Sequence, residues 1–127
     1  MGLDIKSKLV VITGSAGGLG KAFALKLLSL GAKVCISDVN EELGAATAAE
    51  MAAQFGEERV AFVACDVTQQ ESVAKLIQAA QRLLQTPLYC FINNAGDCPA
   101  LGIHCLLLKV PTYIFEILFL WSSSFLY

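Results

Sequence analysis

The chain has 127 residues, enough for one domain and not for two. Its formal charge of −2 gives no electrostatic reason to expect nucleic acid or an anionic membrane surface as partner. The apolar fraction, 56%, exceeds the usual ~45–50%, and unevenly so: residues 1–100 carry 18 of the 20 charged side chains, residues 101–127 only Lys109 and Glu116.

The opening MGLDIKSK lacks the apolar core of a secretory signal, and Lys6 stands where a myristoylation motif wants Ser or Thr. Leu9–Thr13 is a short apolar, β-branched run and reads as a buried strand. Gly14–Gly20 is a glycine-rich turn. Lys21–Leu30 follows as a helix, with Ala22, Leu25, Leu28 and Ser29 at helical spacing and Gly31 closing it. Lys33–Ser37 is a second strand. Asn40 is placed to cap an alanine-rich helix over Glu41–Phe55, whose first turn is acidic and whose end is Gly56. Val60–Cys65 is a third strand. Thr68, with Glu71 three residues on, reads as a capping box for a helix reaching about Leu84. Pro87 marks the exit, and Leu88–Ile92 is a fourth strand.

Strands alternating with helices imply a parallel sheet covered on both faces. Continuous apolar runs, rather than alternating ones, fit strands buried on both sides. Right-handed crossovers then favour the order 3-2-1-4. The expected fold is α/β: a partial Rossmann-type doubly wound parallel sheet with helices on both faces.

The strongest chemical signal is Thr13-Gly14-Ser15-Ala16-Gly17-Gly18-Leu19-Gly20. It leaves a predicted strand, opens a predicted helix, and is followed by an acid, Asp38, eighteen residues after its last glycine. Gly14 permits a sharp turn, Gly18 a close approach of backbone to a diphosphate, and Gly20 close packing of helix on sheet. Free amides at the helix start, with the macrodipole behind them, attract the anion. The plain alternative is a structural turn, which does not account for the acid at that distance.

The TGxxxGxG pattern resembles the short-chain dehydrogenase/reductase family. Three more stretches agree at matching distances: Asp38 after the second strand, Cys65-Asp66-Val67 after the third, and Asn93-Asn94-Ala95-Gly96 after the fourth. The resemblance implies NAD as cofactor. Its contacts would be the loop residues Gly14, Ser15, Ala16, Gly17, Gly18, Leu19 and Gly20, with Asp38 and Val39 at the ribose. Cys65, Asp66 and Val67 would lie at the adenine, and Asn94, Ala95 and Gly96 beneath the cofactor. A carboxylate at Asp38 accepts hydrogen bonds from ribose hydroxyls and repels a 2′-phosphate, and no cation stands in the loop or at Val39 and Asn40 to offset it.

Family members also carry a Ser and a Tyr-x-x-x-Lys pair, in which the phenol moves a proton as hydride moves. Here Asn93 stands four residues after Tyr89, Ile117 four after Tyr113, and Tyr127 is terminal. No catalytic residue is therefore assigned, and these residues are expected to bind NAD without turnover. The family reaction is oxidation of a secondary alcohol to a ketone. The alternative is a non-catalytic NAD-binding or interaction protein that pairs with a longer form.

Residues 1–100 thus read as an NAD-binding Rossmann half-domain and residues 101–127 as an apolar tail outside the resemblance. Three readings of the tail stand: an unrelated end from splicing or gene structure, a membrane-associating segment, or an element packed on the sheet edge. Lys109, Pro111 and Glu116 interrupt any span, and an acid at mid-membrane costs roughly 2.5–3.5 kcal/mol. Cys98, His104 and Cys105 lack a fourth partner at a zinc spacing, so no metal is expected. The five cysteines form no CxxC, and reduced thiols in a cytoplasmic protein are the expected state. If the fourth strand is left as an open edge, it is expected to favour association with other chains.

Overall fold

A computed structural model describes residues 4–94 and the backbone of residues 104–107. Strands β1 (Leu9–Thr13), β2 (Lys33–Asp38), β3 (Val60–Ala64) and β4 (Leu88–Asn93) alternate with helices α1 (Gly18–Ser29), α2 (Glu41–Phe55) and α3 (Gln70–Leu84). A further strand, β5, spans His104–Leu107. The sheet order is β3-β2-β1-β4-β5. The first four strands are parallel, in the 3-2-1-4 order expected from right-handed crossovers. β5 runs antiparallel along β4, from Cys90↔Leu107 to Asn93↔His104. The β4 edge that the sequence left open is therefore covered over these four residues, and the edge strands are β3 and β5.

Two apolar layers hold the sheet. On one face Val10, Ile12, Val34, Ile36 and Ile92 meet Ala24 and Leu28 of α1 and Ala48 and Met51 of α2. On the other, Leu9, Val11, Cys35 and Phe91 meet Leu76, Ala80 and Leu84 of α3. Each fully buried Val, Leu, Ile, Phe or Met contributes about 1.5–3 kcal/mol, which is why β1 is apolar from Leu9 to Ile12. One irregularity interrupts the alternation. Leu9 pairs with Leu88 but Val10 with Cys90, so Tyr89 is an extra residue in β4. Leu88 and Phe91 consequently share the α3 face, while Tyr89 and Cys90 both pack on the other.

Local signals set several boundaries. Asn40 caps α2, its Oδ1 accepting from the Leu43 amide at 3.0 Å. Gly31, at φ 98°, and Gly56, at φ 114°, follow α1 and α2 at a positive φ that side chains rarely adopt. Two expectations are corrected. Thr68 does not cap α3, which begins at Gln70 after Gln69 with no side-chain cap. Its hydroxyl and its amide instead both donate to Asp66 Oδ1, at 2.6 and 3.0 Å, which places Thr68 in a turn on Asp66 ahead of the helix. In α1 the buried line is Gly20, Ala24 and Leu28, while Ala22 and Ser29 are exposed. The stripe of small residues begins inside the glycine-rich segment, where the helix comes closest to the sheet.

Cys35 and Cys65 are buried free thiols, and Cys90 is buried. Burial, helped by the neighbouring Cys65, pushes the Cys35 thiol up to about 12, so it stays protonated well above neutral pH. Among the described residues no helix is long and apolar enough to cross a membrane, and no group of His, Cys, Asp or Glu could hold a metal ion. The side chains of Cys98, His104 and Cys105, and the segment 108–127, lie outside the described residues.

Candidate functional site: the rim above β1, β2 and β4

From β1 the chain crosses first to β2 and β3 on one side, then to β4 on the other. The helices leaving β1 and entering β4 therefore diverge, and a crevice opens beyond the carboxyl ends of the central strands. The loop Gly14–Gly18 fills the floor of that crevice. Gly14 and Gly18 take φ values of 65° and 58°, which only glycine adopts without strain.

The first half of the loop is held by the protein itself. Ser15 is fully buried. Its hydroxyl donates to Ile12 O at 2.7 Å and accepts from the Ser37 amide at 3.1 Å, and its own amide donates to Ser37 O at 3.0 Å. Ala16, also buried, donates its amide to Asp38 Oδ2 at 3.1 Å and accepts the Thr47 hydroxyl on its carbonyl at 2.7 Å. Asn94 Nδ2 donates to Gly14 O at 3.0 Å. Thr13 Oγ1 accepts from the Asn94 amide at 3.1 Å and donates to Asn93 Oδ1 at 3.2 Å, which ties β1 to β4 beneath the loop.

The second half faces outward. Gly18 and Leu19 are exposed. A Cβ placed on Gly18 meets nothing within 4 Å. At Gly20 the reverse holds: a Cβ would lie 2.5 Å from Gly14 O and 2.6 Å from Asn94 Nδ2. The first amides of any α-helix have no intrahelical partner. In α1 no side chain caps them and no acid stands in the first turn. In α2 Asn40 is the cap, and Glu41 and Glu42 stand in the first turn. The start of α1 is thus a cluster of donors at the positive end of a helix dipole, with room in front of it. This donor set suits an anion such as a diphosphate.

Asp38 sits beside the loop at the end of β2. Its Oδ1 accepts from the Asn40 amide at 3.1 Å while Oδ2 holds Ala16. Val39 is 67% exposed on the rim. Past β3, Cys65 is buried and accepts from Ser72 Oγ at 3.4 Å, and Val67 packs on the α3 layer. Asp66 is exposed; the Thr68 hydroxyl, and then the Thr68 amide, on its Oδ1 hold its carboxyl below the usual carboxylate range. Loop, Asp38 and Asn94 are thus joined directly by hydrogen bonds, and Cys65–Val67 closes the outer side. Ala95 and Gly96 lie outside the described residues.

Thr47 and Ser37 take part in this network without having been singled out from sequence, and Thr13 and Asn93, which stand in the motif stretches, do so without having been assigned as cofactor contacts. Thr47 had a legible signal: with Gly44, Ala48 and Met51 it completes the inward face of α2. The others depend on strand pairing.

The family model for short chain dehydrogenase matches residues 8–108, past Ala100 and through β5. The chain is 39% identical over 94 residues to the 15-hydroxyprostaglandin dehydrogenase [NAD(+)] of Bos taurus, covering 74% of this chain and 35% of that protein. It is 39% identical over 92 residues to the 3-beta-hydroxysteroid dehydrogenase of Comamonas testosteroni, with 72% and 34% covered. A short chain dehydrogenase/reductase from Burkholderia phymatum, solved in complex with NAD, superposes with a TM-score of 0.64 at 32% identity, covering 70% of this chain and 31% of that one. A short chain dehydrogenase from Mycobacterium smegmatis gives a TM-score of 0.67 at 38% identity, with 73% and 38% covered. The chain thus spans about a third of the length of the curated relatives it matches. Sequence, sheet order and the loop between β1 and α1 agree on one origin: this chain belongs to the short-chain dehydrogenase/reductase family.

Proposed function

We propose that this chain binds NAD across the crevice, as the cofactor-holding part of a dehydrogenase that oxidises a secondary alcohol to a ketone. One observation carries the reading. The uncapped amides at the start of α1 face open space at Gly18, directly beside a carboxylate at Asp38. The amides would hold the diphosphate and Asp38 the adenosine ribose. Cys65, Asp66 and Val67 would border the adenine, with Asn94, Ala95 and Gly96 below the cofactor. When bound, NAD supplies the hydride acceptor. The similar proteins named for a hydroxyprostaglandin and a hydroxysteroid support a hydroxylated lipid as the substrate class.

Asp38 decides between the two nicotinamide cofactors. Its carboxylate and a 2′-phosphate at ~4 Å repel by about 4 kcal/mol for unit charges at an effective dielectric of ~20. Solvent at the rim reduces that figure, and a preference for NAD over NADP of roughly 100-fold is expected, about 2.7 kcal/mol. Calorimetric titration of both dinucleotides checks it, with Asp38→Ala expected to narrow the gap. Tighter binding of NADP to the unsubstituted chain would end the assignment.

These residues hold the cofactor and do not themselves move the alcohol proton. A phenol with pKa near ~10 needs a neighbouring ammonium to work near neutral pH, and neither Tyr89 nor Tyr113 has a lysine four residues on. The 127-residue chain, mixed with NAD and a secondary alcohol, is expected to give no rise in absorbance from reduced cofactor. Alcohol-dependent turnover above background would refute this.

A further inference from the structure

We infer that Thr47 is a positioning residue for cofactor binding: from α2 it sets the direction in which the glycine loop presents its amides. The inference rests on the reading that the loop holds a diphosphate. Thr47 is buried, and its hydroxyl donates to Ala16 O at 2.7 Å across 31 residues of sequence. The Ala16 amide is held from the other side by Asp38 Oδ2 at 3.1 Å. Ala16 is thus gripped at both its donor and its acceptor.

A trans peptide is planar, so its N–H points opposite to its C=O. Anchoring Ala16 O to α2 therefore aims the Gly17 N–H away from α2. Nothing in the local sequence would fix that plane. Gly17 and Gly18 have no Cβ, and glycine backbones reorient more freely than any other. Gly17 is fully extended at φ −157° while Gly18 sits at φ 58°, so the peptide planes change direction sharply just where α1 begins. An unanchored Ala16–Gly17 peptide would sample several orientations, and binding would have to select one at an entropic cost. Thr47 removes that cost in advance.

The test uses the full chain and three variants. Thr47→Val removes the donor and keeps the shape. Thr47→Ser keeps the donor. Thr47→Ala removes the donor in a better helix former, and gives a second reading should the valine variant fold poorly. Affinities for NAD, for ADP and for adenosine are measured by calorimetry or NMR titration. Thr47→Val and Thr47→Ala are expected to weaken NAD and ADP about five- to twentyfold. Adenosine, which has no phosphate to meet the loop, should stay within about twofold, and Thr47→Ser should restore ADP binding to within about threefold. ADP binding unchanged in both donorless variants, or adenosine weakened as much as ADP, overturns the inference while leaving NAD binding intact. An unsubstituted chain that binds neither NAD nor ADP overturns the cofactor reading and this inference with it.

Discussion

Gly20→Ala is expected to abolish measurable NAD binding, a loss of at least about 100-fold, and to lower stability by roughly 1–3 kcal/mol, the usual range for overpacking. A methyl group there would lie 2.5 Å from Gly14 O and 2.9 Å from Ser15 Cα, both main-chain atoms, and 2.6 Å from Asn94 Nδ2. No rotamer relieves contacts of that kind. Either α1 retreats from the sheet or Gly14 and Asn94 separate, and both movements displace the amides that face the crevice. Gly18→Ala is the matched control. Its methyl meets nothing within 4 Å, yet it stands in the space in front of the helix and imposes a left-handed φ of 58° on alanine, a cost of about 1–2 kcal/mol. Both variants should lose the cofactor, but only Gly20→Ala through a displaced helix. Dinucleotide titration with thermal melting separates the two. Wild-type affinity in Gly20→Ala would show that close packing of α1 on the loop is not what builds the site.

The largest effect on stability should come from a residue far from the crevice. Arg59 precedes β3, and its guanidinium lies among the ends of three elements. Nη2 donates to Leu28 O at 2.5 Å and to Ala32 O at 3.0 Å, Nε to Ala32 O at 3.3 Å, and Nη1 to Phe55 O at 3.5 Å. The cation also stands 5.7 Å from the Phe55 ring centroid. The Leu28 and Phe55 carbonyls close α1 and α2, where the helix dipole is negative and the acceptors lack intrahelical partners, while Ala32 O lies just before β2. Arg59→Met keeps the apolar stem and removes the donors. Hydrogen bonds to a charged group contribute about 1.5–3 kcal/mol each, and because they share one side chain and partial exposure, a total of about 2–4 kcal/mol is expected. Arg59→Lys should recover only part, since an ammonium lacks the planar fork. Denaturant unfolding measures both. NAD affinity of the folded fraction should not change, because Arg59 sits at the amino ends of the strands and the crevice at their carboxyl ends. A change under 0.5 kcal/mol in Arg59→Met would contradict the account.

The residues first read as a row of cofactor contacts divide into two sets. Ser15, Ala16 and Asn94 spend their polar groups on the protein: Ser15 on Ile12 and Ser37, Ala16 on Asp38 and Thr47, Asn94 on Gly14 and Thr13. Gly17, Gly18 and Leu19 present the outer surface. A motif gives the spacing of both sets without separating them. Apart from Ile12, the separation depends on partners 22 to 81 residues away, brought together only by tertiary packing. Thr68 is a different case, a local pattern misread: its hydroxyl and amide close a turn on Asp66, and the helix begins only at Gln70.

What the amino-acid order settled unaided was most of what near neighbours govern, the cap of α3 excepted. The four parallel strands, the Asn40 cap and the glycines that end α1 and α2 follow from burial and backbone freedom within a few residues, and handed crossovers then leave one sheet order. Tertiary structure alone decided the extra residue at Tyr89, the antiparallel β5 along β4, and the grip of Asp38 and Thr47 on Ala16. Each of these is a hydrogen-bonding choice between segments distant in the chain, and such choices exist only once packed layers have fixed which groups can reach each other.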